Sequence, residues 1–156
     1  MRCVEKPQMK LGQINIAAIK IDPRSRDDIP KILQGLQHLY MKEDVRTEIF
    51  RILEENISPK VDKENGRPGM DLWQILVLGV LRLNLNEDYD RVQEHANNHH
   101  VIRQMLGHSD VFDRYHYPLQ TIKDNVRLLT PELLDKINQV VVKAGHAILK
   151  KKTQKA

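Results

Sequence analysis

The sequence predicts an all-α protein, a helical bundle of about six or seven helices with an irregular N-terminal arm. Apolar residues recur at helical spacing over most of the chain, and capping residues and prolines stand where helices would begin. The alternation typical of strands is confined to one short segment. With 156 residues, 40% of them hydrophobic and 29% charged, the chain has the composition of one globular domain. We divide it into an arm over residues 1–26, a helical domain over 27–149 and a basic tail over 150–156.

The arm contains the strand-like segment. In INIAAIKI the isoleucines alternate weakly over residues 14–21, which predicts one short strand or an extended segment. The sequence RDDIP then predicts the start of the first helix, because Asp27 or Asp28 can cap it and Pro30 suits its first turn. A second helix is predicted over about 42–57, before the loop SPKVDKENGRPG.

The middle of the chain predicts a central helix. Asp71 can cap a helix that is apolar nearly all round over residues 72–83. A helix without a polar face needs neighbours on all sides, so we place it at the centre of the bundle with Trp73 largely buried. One or two shorter helices follow and end at Gly107, which can adopt the left-handed cap.

Two further helices complete the predicted bundle. The sequence YHYPLQTIKDNVRLL predicts a turn followed by a helix, which is the helix-turn-helix-like part of the domain. The last helix is predicted to begin with Thr130 as its cap and Pro131 in its first turn. Its apolar seam consists of Leu134, Ile137, Val141, Ala144 and Ile148.

Charge and cysteine content narrow the location and the partners. The chain has one cysteine, Cys3, no signal-peptide h-region and no apolar run of about 20 residues that could span a membrane. We therefore expect a soluble cytoplasmic protein. Lys150, Lys151, Lys152 and Lys155 are four of its 25 basic residues, and the other 21 balance the 21 acidic residues. The net charge of +4 thus comes from the tail, whose lysines could contact DNA phosphates.

Four histidines, at positions 95, 99, 100 and 108, form the cluster nearest to a metal-site pattern. His95 and His99 are four residues apart, so a helix would place them on one face where two zinc ligands could sit. The metalloprotease pattern needs a glutamate directly after the first histidine, whereas Ala96 follows His95. We predict no metal site and interpret these histidines as surface and boundary residues.

Four carboxylates lie close together at Glu87, Asp88, Asp90 and Glu94. Paired acids can hold divalent ions for phosphoryl transfer. The first three stand where a helix is predicted to begin, where acids act as caps and favour the helix dipole. The chain also shows no glycine-rich phosphate loop and no nucleophile triad. We therefore predict no catalytic residue, no metal and no cofactor in this chain.

DNA binding is the function that the polar residues favour most. The predicted helix after YHYP could lie in a major groove, with polar side chains toward base edges and basic ones toward phosphates. The alternative is an ordinary amphipathic helix with a polar outside. Arg67, in NGRPG, could insert into a minor groove or lie on a turn. The candidate DNA-contacting residues of the helix are Gln120, Thr121, Lys123 and Arg127, and Asp124 lies among them.

The order and spacing of three segments resemble the N-terminal region of DDE-type insertion-sequence transposases, in particular the group termed not classified yet. The segments are RDDIPKILQGLQHLY, GRPGMDLWQILVLGVLRLNLNEDYDRVQEHANNHHVIRQMLG and TIKDNVRLLTPELLDKINQVVVKAGHAILKKK, and together they extend over residues 26–152. In that family this region recognises or positions transposon-end DNA. A ribonuclease H-like domain follows, in which two aspartates and a glutamate hold two divalent metal ions. None of those carboxylates matches a residue of this chain.

The resemblance implies a truncated transposase that takes part in DNA transposition by binding transposon ends, with no catalysis of its own. Lys150, Lys151 and Lys152 would then belong to the linker toward the catalytic domain. The alternative is a helical interaction module that forms a homodimer, or a mixed dimer that inhibits a full-length transposase.

Overall fold

The computed structural model describes residues 15–57, 70–109 and 114–154, with side chains up to residue 144 in the last range. Seven α-helices pack together over these residues, and no described residue lies in a strand, so the all-α prediction is confirmed. A short 3-10 helix, Ile16–Ala18, precedes them. The helices are α1 (Asp28–Met41), α2 (Glu43–Ile57), α3 (Leu72–Leu85), α4 (Tyr89–Asn98), α5 (His100–Met105), α6 (Leu119–Val126) and α7 (Pro131–Gln154).

Helix α3 lies at the centre of the bundle, as predicted, and packs against α1, α2, α4 and α6. It begins with a capping box, in which the Asp71 carboxylate accepts from the backbone N–H of Gln74 (2.8 Å) and the Gln74 side chain accepts from that of Asp71 (3.3 Å). Trp73 is buried, and its indole N–H donates to the Met105 carbonyl of α5 (2.7 Å). That hydrogen bond allows a large polar-tipped side chain to lie in the core without an unpaired donor.

The prediction of a strand in the arm is wrong for its described residues, whereas the alternative, an extended segment, agrees with the extended backbone of Asn15 and Ile19. Residues 16–18 form a 3-10 helix instead, and Ile16 and Ile19 are buried against α1. The side-chain amide of Gln37 in α1 donates to the carbonyls of Ile16 (2.9 Å) and Ile19 (2.8 Å). Because a side chain satisfies these carbonyls, the segment needs no neighbouring strand. Ile16 and Ile19 thus belong to the hydrophobic core of the helical bundle.

Helices α2 and α7 run antiparallel. The Lys136 ammonium lies 3.5 Å from the Asn56 side-chain oxygen. Two turns earlier in α2, the hydrogen bond from Arg51 lowers the pKa of Glu48 most, and Lys143, two turns later in α7, lowers it further. The Thr130 hydroxyl accepts from the N–H of Leu133 (3.1 Å), as the predicted cap requires. Helix α7 continues to Gln154, so its backbone is helical across the boundary predicted at 149.

Within the described parts of the chain, no helix combines the length and the apolar character that crossing a membrane requires.

Candidate nucleic-acid interface

Helix α6 presents the side chains that the sequence predicted for DNA contact. Successive residues of an α-helix are rotated by about 100°, so positions 120, 123, 124 and 127 fall within one face. The opposite face is buried through Ile122, Asn125 and Val126. Thr121 is half-buried at the edge between the two faces. The exposed side chains of the outer face are Gln120, Lys123, Asp124 and Arg127.

The outer face of α6 carries charges of both signs. Lys123 and Arg127 are cationic, whereas the Asp124 carboxylate accepts a hydrogen bond from the Gln120 amide (2.8 Å). This face therefore offers two cations for phosphates, and an amide and a carboxylate that could meet base edges. Its small net charge makes it unsuited to strong binding by electrostatics alone.

Tyr117 anchors the start of α6 to α4. Its backbone N–H donates to the Asn97 side-chain oxygen (2.7 Å), and its carbonyl accepts from the side-chain amides of Asn97 (3.1 Å) and Gln93 (3.0 Å). The ring is buried, and its hydroxyl is hydrogen-bonded to His108. Pro118 is the next residue and the N-cap of α6, so these bonds fix where the helix begins.

The side chains of the other predicted DNA contacts lie outside the part of the chain that the structure describes. Arg67 lies in the range 58–69, outside the described residues. Lys150, Lys151 and Lys152 lie on α7, of which only the backbone is described there. The structure thus places Gln120, Lys123 and Arg127 on one exposed face and leaves the remaining candidates as predictions, except that Thr121, expected to be exposed, is half-buried.

Two of the four histidines are buried, so their interpretation as surface and boundary residues is wrong for both. His95 lies on α4 with its Nε2 atom 2.9 Å and 3.1 Å from the two carboxylate oxygens of Glu87. His108 is hydrogen-bonded to Tyr117. Each of the two is hydrogen-bonded to a residue eight or nine positions away in the sequence, Glu87 or Tyr117, a longer spacing than that between neighbours on a helix face.

The two remaining histidines lie near the start of α5. His99 is the N-cap, where its Nδ1 atom accepts from the N–H of Ile102 (3.3 Å), and His100 is exposed. Burial lowers the pKa of His99, and the neighbouring His95 lowers it further. Among the described histidine, cysteine, aspartate and glutamate side chains, no group of three is arranged to hold a metal ion.

The four carboxylates near the start of α4 divide into a helix cap, two exposed residues and a contact of a buried histidine. Asp88 caps the helix by accepting from the N–H of Arg91 (2.9 Å), as predicted. Asp90 and Glu94 are exposed on α4, as expected of a solvated face. Glu87 is not a cap, contrary to the prediction, because its side chain contacts His95 two turns into the helix.

A surface pocket of about 420 Å³ lies beside the anchor of α6. Sequence reasoning missed it, because its residues come from α4, α5 and the segment before α6, which come together only in the folded bundle. The available signal was the two polar segments NNHH and RYHY, which contain most of the pocket residues. None of the seven residues that line it is acidic: Asn97, Asn98, His100, Arg103, Arg114, Tyr115 and His116.

No protein-family model, no curated protein and no solved structure matches this chain. The function must therefore be inferred from the outer face of α6 and from the pocket beside it. Both surfaces are polar and carry cations, and both lie next to the same anchor residue, Tyr117.

Proposed function

We propose that this protein binds duplex DNA with the outer face of α6, in the manner of the DNA-positioning region of an insertion-sequence transposase. One observation carries the proposal. Gln120, Lys123 and Arg127 share one exposed face of a helix whose start is fixed to α4 by three hydrogen bonds. A base-reading helix needs this combination of exposed polar side chains and a rigid support.

The dimensions of α6 suit a major groove. An α-helix with its side chains is about 10–12 Å across, close to the width of that groove in B-DNA, and the eight residues of α6 extend about 12 Å along the helix axis. Lys123 and Arg127 are one turn apart on the face that carries Gln120, so these three side chains can reach base edges as well as phosphates within one groove. The resemblance of residues 26–152 to a transposase N-terminal region supports the same function.

Binding without catalysis is part of the proposal. Two of the four clustered acids have structural roles, since Asp88 caps α4 and Glu87 contacts the buried His95. DNA cleavage would therefore depend on groups other than these carboxylates, and we assign this chain a positioning function in DNA transposition.

The test compares two double variants that remove equal charge. Duplexes bound by the wild-type protein would first be selected from a random library, and affinities then measured by fluorescence anisotropy. Lys123→Ala/Arg127→Ala should weaken binding to the selected duplex more than to random duplex, by roughly 1–3 kcal/mol for each base-contacting residue. Lys136→Ala/Lys143→Ala removes two exposed cations from α7 and is the matched control.

Equal losses in both double variants, on both kinds of duplex, would sink the assignment of α6 as the reading helix. Light scattering on the same samples tests the alternative function. A protein that dimerises with increasing concentration and binds no duplex would favour the interaction module over a DNA-binding protein.

A further inference from the structure

We propose that the pocket beside α6 binds one unpaired nucleotide of single-stranded DNA, with Tyr115 stacking on the base and the basic side chains around it meeting the phosphate. This site is separate from the outer face of α6. It would bind a single strand whether or not that face reads a duplex, so the two functions can fail independently.

Tyr115 has the geometry of a stacking platform. Its ring is stacked on that of His108, with centroids 5.9 Å apart and planes 15° apart, and meets the Tyr117 ring edge-on at 4.8 Å. Both supporting residues are buried, yet Tyr115 itself is 49% exposed. An aromatic ring held in one orientation loses little conformational entropy when a base stacks on it, and such stacking tolerates any base.

The charges of the pocket select an anion. Its lining includes two arginines and two histidines and, as noted, no acid. Arg103 is nearly buried, and its guanidinium is held by a hydrogen bond to the Ala96 carbonyl (2.9 Å), so this cation is fixed in place. Arg114 and His116 are exposed at positions directly before and after Tyr115. Cations next to an aromatic platform are the combination that binds a nucleotide and its phosphate.

The size and the hydrogen bonding of the pocket indicate what it would distinguish. A volume of about 420 Å³ falls in the range of small-ligand sites, roughly 300–1,000 Å³, which suits one nucleotide and not a base pair. The Asn97 amide is already bonded to Tyr117 through both its oxygen and its nitrogen. Because the pocket has room for one nucleotide, we expect a preference for single strands over duplexes. Because the Asn97 amide is engaged, we expect little preference among bases.

The test uses a labelled single-stranded oligonucleotide of mixed sequence and the duplex of the same sequence. Tyr115→Leu removes the ring and should weaken single-strand binding at least about 5-fold, the lower end of what one stacked base contributes. Tyr115→Phe keeps the ring and should bind nearly as the wild type does. Neither change should alter duplex binding by α6, and circular dichroism would verify that both variants are folded.

The double variant Lys123→Ala/Arg127→Ala provides the reciprocal control, since it should weaken duplex binding and leave single-strand binding unchanged. Competition with thymidine monophosphate and with inorganic phosphate separates stacking from charge. The nucleotide should compete at a lower concentration than phosphate does. Equal competition by the two, or equal affinity of Tyr115→Leu and wild type for the single strand, would overturn the pocket proposal and leave the function of α6 intact.

Discussion

The side-chain amide of Asn97 pairs with the backbone of Tyr117 as a neighbouring strand would, accepting from its N–H at 2.7 Å and donating to its carbonyl at 3.1 Å. This pairing joins the last turn of α4 to the segment that leads into α6. It also forms one wall of the pocket, so both proposed DNA surfaces depend on it.

The first prediction concerns this pairing. Asn97→Ala leaves the part-buried N–H and carbonyl of Tyr117 without the partners that Asn97 supplies, so the free energy of unfolding should fall by about 1–3 kcal/mol. Duplex and single-strand affinities should fall together, because one anchor positions both surfaces. The adjacent and exposed Asn98 offers the control, since Asn98→Ala should change stability by less than about 0.5 kcal/mol. Urea denaturation of the two variants measures the difference, and equal midpoints would contradict the anchoring role.

The second prediction compares two helical glycines. A Cβ atom at Gly79 in α3 would lie 2.8 Å from the Cβ of Leu129, whereas one at Gly35 in α1 would have no neighbour within 4 Å. Gly79→Ala should therefore destabilise the protein by about 1–3 kcal/mol through overpacking. Gly35→Ala should stabilise it by roughly 0.5–1 kcal/mol, because alanine has the higher helix propensity. Thermal denaturation of both variants would decide, and a stabilised Gly79→Ala protein would show that α3 does not closely approach Leu129.

The sequence was sufficient to predict the parts of the fold that depend on local pattern. Asp71 and Thr130 cap helices as predicted, and the apolar run after Asp71 is the central helix, because capping and periodicity are properties of neighbouring residues. The strand predicted in the arm is wrong, because the bonds from Gln37 to Ile16 and Ile19 join residues about 20 positions apart. Alternating isoleucines cannot reveal such a partner.

The candidate site divides in the same way. The outer face of α6 follows from helical spacing alone, and the exposure of Lys123 and Arg127 was predicted. The burial of His95 and the pocket around Tyr115 were not, because each depends on which helices meet in the folded bundle. Polar residues that form hydrogen bonds between different helices follow no periodic pattern in the sequence.

The third prediction concerns pH. Burial lowers the pKa of His99 below its ordinary value of 6.5, although the nearby Asp27 opposes the shift. The folded protein therefore binds a proton at this position less readily than the unfolded chain does. Stability is fully present above the unfolded pKa and is lost as the pH falls through 6.5 and below. Asn at this position can still cap α5 but does not titrate.

The His99→Asn variant should accordingly lose less stability than the wild type when the pH is lowered from 7.5 to 5.5. Urea denaturation at several pH values gives the two profiles. The other histidines are present in both proteins, so the difference between the profiles reports His99 together with its interaction with His95. Parallel profiles would show that this side chain is not responsible for any loss of stability in acid.

The fourth prediction concerns Asp124, whose carboxylate lies on the outer face of α6 with Lys123 and Arg127 and accepts from Gln120. Asp124→Asn removes a negative charge that repels phosphates while keeping a similar shape. Affinity for random duplex should therefore rise, and the dependence of log affinity on log salt should become steeper, by up to about 0.9 for one additional phosphate contact. Asp135→Asn on α7 is the matched control, because Asp135 is also exposed but lies outside this face.

The response of the selected duplex to the same change would show what Asp124 does when DNA is bound. A carboxylate in the major groove can accept from the amino group of cytosine, whereas it repels the backbone. If Asp124 reads a base, Asp124→Asn should weaken binding to the selected duplex and strengthen binding to random duplex. Both changes lower the ratio of the two affinities. If the carboxylate only repels phosphates, affinity for both duplexes should rise by the same factor. Anisotropy titrations at two salt concentrations distinguish these results, and an unchanged affinity for both duplexes would mean that the outer face of α6 does not meet DNA.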